Sequence, residues 1–531
     1  MWHCTRLSVA YLFRPAFFCL LVSLGLISCG GGGGGGNSNS VNDGNNGDTG
    51  VTNSWVAGVF LPADTFDNMC LVPVPGTSDR QATATDENNF LRSHSNNTYL
   101  WYDEIVDRDP ALYATPAYFE LLKTAALTPS GNFKDRFHFA MPTDEWEALS
   151  QSGISAGYGA HFAISQSPRR AVVAYTETNT PATATGVNLA RGAQILAVDG
   201  VNVANGNDVD TLNAGLFPET AGETHTFTVR DLNGTVRTIS MQSAVITSTP
   251  VQNVSTIATA TGKVGYLLFN DHIATAEGGL YNAVTQLAAE GIADLVIDIR
   301  YNGGGFLDIA SEFAYMIAGA APTGGRSFEA IRFNNKHPLI NPVTGQTLLP
   351  VPFHNRSLGF DPSLPAGTLL PTFNLSRVYV LTGPGTCSAS ESIINGLRGV
   401  DVNVIQIGST TCGKPYGFYP ANNCGTTYFT IQFQGVNAKG FGDYFDGFSP
   451  ANAVTNIGNV IPGCSVHDDF NAALGDPAEA RLATALTHRM TGTCPVASGF
   501  SAPALSIFPR LPADNMVVPK TVWQQNRIMN R

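Results

Sequence analysis

The sequence predicts a multi-domain chain of the α/β class, α+β over its whole length. A small helical amino-terminal domain precedes a small β domain and an α/β core with a mostly parallel sheet. Three observations carry this prediction. Apolar and aromatic residues recur at helical spacing within residues 86–150. Short strand-like runs separated by turn residues follow over 153–243. From Lys263 onward, apolar strand-length runs alternate with helix-length segments, the pattern of a covered, largely parallel sheet.

In the first region, residues 88–105 carry Phe90, Leu91, Tyr99, Leu100 and Trp101, and residues 116–127 carry Tyr118, Phe119, Leu121 and Leu122. Asp109-Pro110 and Thr128-Pro129-Ser130-Gly131 interrupt the periodicity, so two helices are expected in a domain spanning 55–150. In the second region, strands are expected over 161–165, 171–176, 194–198, 225–230 and 236–241, with a short helix over 208–216. In the third, strands are expected over 264–269, 295–299, 378–381 and 402–407, and helices over 276–290, 307–317 and 389–397. This core occupies 255–495 and leaves a carboxy-terminal extension, 496–531. Within it, residues 320–375 are rich in Pro and Gly and too long for a plain connection, which suggests an added surface element or lid.

The chain has 531 residues, 41 acidic against 29 basic, and a net charge of −12. That balance argues against a nucleic-acid partner, which needs a basic face. A hydrophobic content of 43% is enough for sizeable cores and too high for a disordered chain. Beyond residue 30 no apolar run is long enough to span a bilayer, which excludes a polytopic membrane protein.

Arg6 and Arg14 precede the uncharged apolar stretch 15–27, the layout of a secretory signal. It ends in Leu26-Ile27-Ser28-Cys29, which resembles the bacterial lipobox. The resemblance implies a signal peptide over 1–28 and acylation of Cys29; an ordinary signal peptide ending near a cysteine is the alternative. Seven glycines (30–36) and an Asn/Gly/Asp-rich run make 29–54 a flexible tether. Gly30 in place of Asp after the cysteine favours, by resemblance to enteric lipoproteins, the outer membrane. An exported, lipid-anchored protein of the bacterial cell envelope is therefore expected. Six cysteines remain: Cys70, Cys387, Cys412, Cys424, Cys464 and Cys494. An even number in an exported chain is compatible with disulfides. Cys412–Cys424, flanking a turn-rich segment, is the first expected pair and Cys464–Cys494 the second. No C-x-x-C pair is present and His467 stands alone, so no metal and no cofactor are expected.

Three segments carry candidate chemistry. They are Ile297-Asp298-Ile299-Arg300-Tyr301-Asn302-Gly303-Gly304-Gly305, the run from Val378 through Cys387-Ser388-Ala389-Ser390-Glu391, and Ile407-Gly408-Ser409-Thr410-Thr411-Cys412-Gly413-Lys414-Pro415. Ser388 follows a strand and a Gly/Pro turn and opens a helix. There the unpaired amides favour developing negative charge, as a nucleophile with a backbone oxyanion hole requires. The same position suits an ordinary N-cap. The third segment nearly spells a phosphate-binding loop, but Pro415 replaces the Ser or Thr that would ligand magnesium. No G-x-S-x-G surrounds Ser388, against an α/β-hydrolase. His272 and His467 are the possible bases of a Ser-His scheme.

Upstream, Gly157-Tyr158-Gly159 and Gly192-Ala193-Gln194-Ile195-Leu196-Ala197-Val198-Asp199-Gly200 resemble a PDZ domain, the first being similar to its carboxylate-binding loop. With the three segments in this order, the chain over about 153–420 closely resembles the carboxy-terminal processing (tail-specific) serine peptidase family. The resemblance implies Ser388 as nucleophile and Lys414 as general base. It implies an oxyanion hole from Ala389 with Gly303 or Gly304, and capture of substrate C-terminal tails at Gly157, Tyr158 and Gly159 in a PDZ-like domain over 153–243. The expected substrates are proteins or peptides with unstructured tails. A lysine acts as base only when neutral, which burial promotes. The surroundings of Lys414 in sequence are apolar and aromatic (Tyr416, Phe418, Tyr419), and no acid occurs between Val402 and Tyr428. Two departures stand out. Phe418 occupies the place of a Gln that orients the base in many members, leaving Gln432 and Glu391 as candidate third partners. Pro415 follows the lysine where a small residue is usual. A catalytically inactive peptide-binding or adaptor lipoprotein on the same fold is the alternative function.

Overall fold

The computed structural model describes residues 55–166, 168–454 and 458–495, together with Met516, Val518 and the strand Arg527–Ile528. The predicted signal peptide, the tether and Cys29 lie outside the described residues, as does most of the extension 496–531.

The amino-terminal region contains helices α1 (Ala84–Thr98), α2 (Thr115–Glu120) and α3 (Thr143–Ser152). Helix α1 starts where Thr83 and Asp86 form a reciprocal capping box. It ends at Thr98, short of the expected 105, because Tyr99 turns to extended backbone and is fully buried. The Tyr99 hydroxyl donates to Asp135 at 2.7 Å, and the Leu100 amide donates to the Ile431 carbonyl. Helix α2 is likewise shorter than expected. This region is stitched to the core: strand Phe139–Pro142 pairs with Thr426–Phe429, and Cys70 is bonded to Cys424.

An antiparallel sheet follows, made of β1 (Ala160–Gln166), β2 (Arg169–Thr176), β3 (Gln194–Val198), β4 (Thr224–Arg230) and β5 (Val236–Gln242), with α4 (Val209–Leu216). The order is β5-β4-β3-β2-β1, so β1 is an edge. Its core includes Phe162, Val173, Ile195, Leu212, Phe227 and Ile239.

The third region contains β6 (Val251–Ile257), β7 (Val264–Phe269), α5 (Ala276–Ala289), β8 (Asp294–Asp298), β9 (Gly305–Phe306), α6 (Leu307–Ala318), β10 (Arg377–Thr382), α7 (Ala389–Gly399), β11 (Asn403–Gly408), β12 (Tyr416–Gly417), β13 (Gly463–Ser465), α8 (Ala480–Thr491) and β14 (Arg527–Ile528). Its main sheet runs β6-β7-β8-β10-β11-β13; β6 is antiparallel to β7 and the other neighbours are parallel. Both faces are covered. Leu267, Phe269, Ile297 and Val380 pack with Leu280 of α5, Phe313 of α6 and Ile393 of α7. The alternate residues Tyr266, Leu268, Val296 and Leu381 pack with Leu482 of α8 and Val172 of β2. Double-sided burial explains why these strands read as continuous apolar runs. Residues 320–375 are not a bare loop: Ser327–Arg332 pairs with Phe433–Val436 and with Val351–Pro352. Beside β9, the short strand β14 pairs in parallel, Gly305 opposite Arg527 and Phe306 opposite Ile528, and β14 also lies next to β12.

Candidate active site

Parallel pairing brings three loops to one edge of the sheet. β8, β10 and β11 are neighbours, with Asp298 opposite Leu381 and Thr382 opposite Gly408. The chain leaving their carboxyl ends contains, in turn, Gly303 and Gly304, Ser388, and Lys414. This is where open α/β sheets place their ligands.

Ser388 immediately precedes α7 with φ 58° and ψ −114°. A non-glycine residue at such angles stores strain of about 1–3 kcal/mol, which persists only where the surroundings enforce it. It is not the extended backbone of an ordinary N-cap. The side chain is fully buried and, among the described residues, its hydroxyl has no hydrogen-bond partner. Ala389 opens the helix, so its amide is among those without a helical acceptor.

Glu391, one turn into α7, ties the Ser388 loop to the Lys414 loop. Its Oε2 accepts the Ser388 amide at 2.9 Å and the Lys414 amide at 2.8 Å; its Oε1 accepts the Gly413 amide at 2.9 Å and the Thr411 hydroxyl at 2.5 Å. Two amides from different loops thus converge on one oxygen atom. Burial pushes the Glu391 carboxyl above its ordinary range, and these four donors oppose that shift. Gly413 has φ 85°, and a Cβ there would stand 2.3 Å from the Phe445 carbonyl oxygen, so the turn into Lys414 requires glycine.

Lys414 is fully buried, deeper than its sequence implied. Its Nζ lies 4.6 Å from the Phe137 ring centre and 4.7 Å from that of Phe418. Phe418, in the position of the missing Gln, therefore faces the amine with its ring. Gln432 is engaged elsewhere, accepting the Tyr419 amide at 2.8 Å. The absence of nearby acids in sequence did not hold in space, because α7 delivers Glu391 to the backbone of this loop.

Asn302 organises the glycine turn. Its Oδ1 accepts the Gly304 amide at 2.9 Å and lies 3.0 Å from His272 Nδ1. Its carbonyl accepts the Cys387 amide and the Ser390 hydroxyl. The Gly304 amide is thus spent on Asn302. His272 is fully buried and holds this turn by its backbone as well, its amide donating to the Gly304 carbonyl.

Sequence reasoning missed the roles of Asn302, Thr411 and Phe137. For Glu391 a signal existed: Ser388-Ala389-Ser390-Glu391 has the Ser-x-x-Glu spacing of a capping box. The expected Cys412–Cys424 pair is not formed. Cys412 bonds Cys387, and Cys424 bonds Cys70. Cys424, at φ 53° in the turn between Ala421–Asn423 and Thr426–Phe429, belongs to the hairpin that docks on the amino-terminal region. The expected Cys464–Cys494 bond is present. Among the described residues one cluster has metal-ligand spacing, Cys387, Glu391 and Cys412; two of its three ligand atoms are consumed by the disulfide.

Gly157 ends a strand, Ile154–Gly157, that pairs with Ala244–Thr247. The Tyr158 ring is buried edge-on against Phe227. Gly159, at φ 72°, leaves no room for a Cβ against Thr180 and leads into the edge strand β1. Phe162 of β1 meets Phe217, the residue that ends α4, while the helix itself packs on β3 and β4.

Residues 263–418 match peptidase family S41. A carboxyl-terminal-processing protease of Picosynechococcus sp. (strain ATCC 27264 / PCC 7002 / PR-6) is 30% identical over 173 residues, 31% of this chain and 39% of that relative. The chain thus aligns with well under half of the relative's length. A solved structure described as a candidate S41 protease from Bacteroides fragilis NCTC 9343 superposes with a TM-score of 0.57 at 22% identity, covering 76% of this chain and 97% of that one. The photosystem II D1 C-terminal processing protease covers 76% of this chain and 100% of its own at 18% identity, with a TM-score of 0.41. The Bacteroides likeness extends the shared fold well beyond the matched residues. This chain carries a peptidase family S41 domain over residues 263–418.

Proposed function

We propose that this protein is a serine endopeptidase that cleaves unstructured or carboxy-terminal segments of exported proteins. Ser388 attacks the scissile carbonyl, Lys414 takes the hydroxyl proton, and the amides of Ala389 and Gly303 receive the oxyanion. The tetrahedral intermediate collapses with cleavage of the C–N bond, and protonated Lys414 gives its proton to the leaving amine. The neutral lysine then takes a proton from the water that hydrolyses the acyl-enzyme. The observation that carries this reading is the convergence of the Ser388 and Lys414 amides on Glu391 Oε2, beside a strained serine whose hydroxyl is unengaged among the described residues. The region 153–243 acts as a PDZ-like module. Support comes from β1, an edge strand preceded by Gly157, Tyr158 and Gly159 and touching the end of α4 through Phe162, the layout that strand addition of a peptide tail uses. Cys29 carries the lipid that holds the enzyme in the cell envelope. A non-catalytic peptide-binding role is favoured by one observation, Phe418 in place of an amide side chain against Lys414.

A fluorophosphonate probe separates the two. It is expected to label wild type and leave Ser388→Ala unlabelled; equal labelling of both would refute the peptidase reading. Cys29→Ser is expected to move the protein from the membrane to the soluble fraction, and persistent membrane association would refute the anchor.

A further inference from the structure

We propose that the Cys387–Cys412 disulfide is a redox-sensitive clamp that positions Ser388 against Lys414; this rests on the peptidase reading above. Cys387 is the residue before Ser388, and Cys412 lies two residues before Lys414. The bond, formed across 25 residues of chain with Cα atoms 5.2 Å apart, therefore joins the nucleophile loop to the base loop directly. Each cysteine is also anchored by its backbone. The Cys387 amide donates to Asn302 of the glycine turn, and the Cys412 amide donates to Thr386 of the nucleophile loop. One covalent bond thus joins two of the three loops that form the site, and the Cys387 amide ties the third to them by a hydrogen bond.

Opening the bond moves these loops. Two unbonded sulfurs require roughly 3.5 Å or more between them. Cys387 is fully buried and cannot swing aside, so the room comes from the Cys412 side, by rotation of that half-buried side chain together with displacement of its loop. Glu391 then remains as a hydrogen-bonded tie between them. A displacement on the order of 1 Å at a catalytic pair costs about 100-fold in rate. Reduction is chemically accessible because Cys412 is only partly buried. A dithiol attacks the Cys412 sulfur, Cys387 leaves as thiolate and takes up a proton, and the second thiol of the reductant resolves the mixed disulfide. Two electrons and two protons pass to the protein, and the reductant closes to its own disulfide. The other two bonds lie elsewhere: Cys70–Cys424 at the amino-terminal junction, and Cys464–Cys494 between β13 and the chain after α8.

The test is the rate of fluorophosphonate labelling across pH on the full chain, in four samples: oxidised wild type, dithiothreitol-reduced wild type, C387A/C412A and C464A/C494A. Mass spectrometry assigns which bonds are open, and tryptophan fluorescence reports the folded state. Reduced wild type and C387A/C412A are expected to label about 100-fold more slowly, with half-maximal labelling moved to higher pH as the lysine loop loosens. C464A/C494A is expected to match oxidised wild type, and reoxidation of the reduced sample to restore its rate. A folded, reduced wild type with Cys387–Cys412 open that labels at the oxidised rate and pH midpoint overturns the clamp, whatever the variants do. Absence of labelling in oxidised wild type overturns the peptidase reading, and the clamp with it.

Discussion

Lys414 sits with its amine between the rings of Phe137 and Phe418. Burial disfavours an ammonium group, whereas an aromatic face favours it. The pocket around the proposed base is thus buried and aromatic. Lys414→Ala is expected to lower turnover by about 100- to 10,000-fold while leaving binding of a peptide tail intact, as measured by fluorescence anisotropy; retained turnover would place the base elsewhere. Ser388, Lys414 and the glycine turn were singled out in the sequence by the resemblance of their three segments to the tail-specific peptidases, since the strand and turn before Ser388 alone would equally suit an N-cap. Phe137 was not, because it reaches the amine from the amino-terminal region and no local pattern marks it. The Cys412 pairing failed for a related reason: nearness along the chain is a poor guide to nearness in space when a hairpin carries Cys424 away to Cys70.

Helices α5 and α6 place two buried carboxyls side by side, Glu277 and Glu312. Both serve as acceptors for the chain crossing above: Glu277 takes the amides of Leu358, Gly359 and Asp361, and Glu312 also takes that of Leu358. Burial, followed by the charge of Glu277, raises the Glu312 pKa from 4.5 to about 9. The folded state therefore holds a proton that the unfolded chain releases. The stability this contributes is complete below about 4.5 and declines as pH rises to about 9, by at most about 1.4 kcal/mol per pH unit. Glu312→Gln removes the penalty and still accepts the Leu358 amide. Its melting temperature is expected to exceed that of wild type at pH 8, and the gain to shrink towards pH 4.5. A variant less stable than wild type at pH 8 would show that the ionised carboxyl is the form the fold uses. At this scale the four central strands of the core sheet were readable to within a residue or two, because both faces are buried, whereas its two outer strands, β6 and β13, were not read. The amino-terminal helices were overextended, because a helical spacing of aromatics does not reveal that Tyr99 leaves its helix to reach Asp135.

Across the molecule, a buried ionic cluster fastens the antiparallel sheet to the core. Arg300, fully buried, pairs with Asp298 and Glu479 at 2.8 Å and with Asp468 at 2.7 Å. Arg191, from the turn before β3, pairs with the same Asp468 at 2.6 Å and donates to the Tyr301 hydroxyl at 2.7 Å. Burial alone would raise the Asp468 pKa, but the guanidiniums of Arg191, Arg481 and Arg300 hold it well below the carboxylate range. Its contribution is present above the unfolded value of about 3.9 and is lost as pH falls below it. Arg191→Ala strips one partner from a buried pair and is expected to cost about 3 kcal/mol, read from the urea midpoint; an unchanged midpoint would show that the sheet is held by its apolar contacts alone. None of this cluster was visible as a unit in the sequence, since its members come from distant segments.

The short strand Arg527–Ile528 lies on the backbone of Gly305 and Phe306, directly after the glycine turn of the site. A backbone edge accommodates one strand at a time. Any extended peptide arriving along that edge therefore comes as a rival to the chain's own segment. Its admission is an exchange, in which the pairings of Arg527 and Ile528 are given up for those of the newcomer.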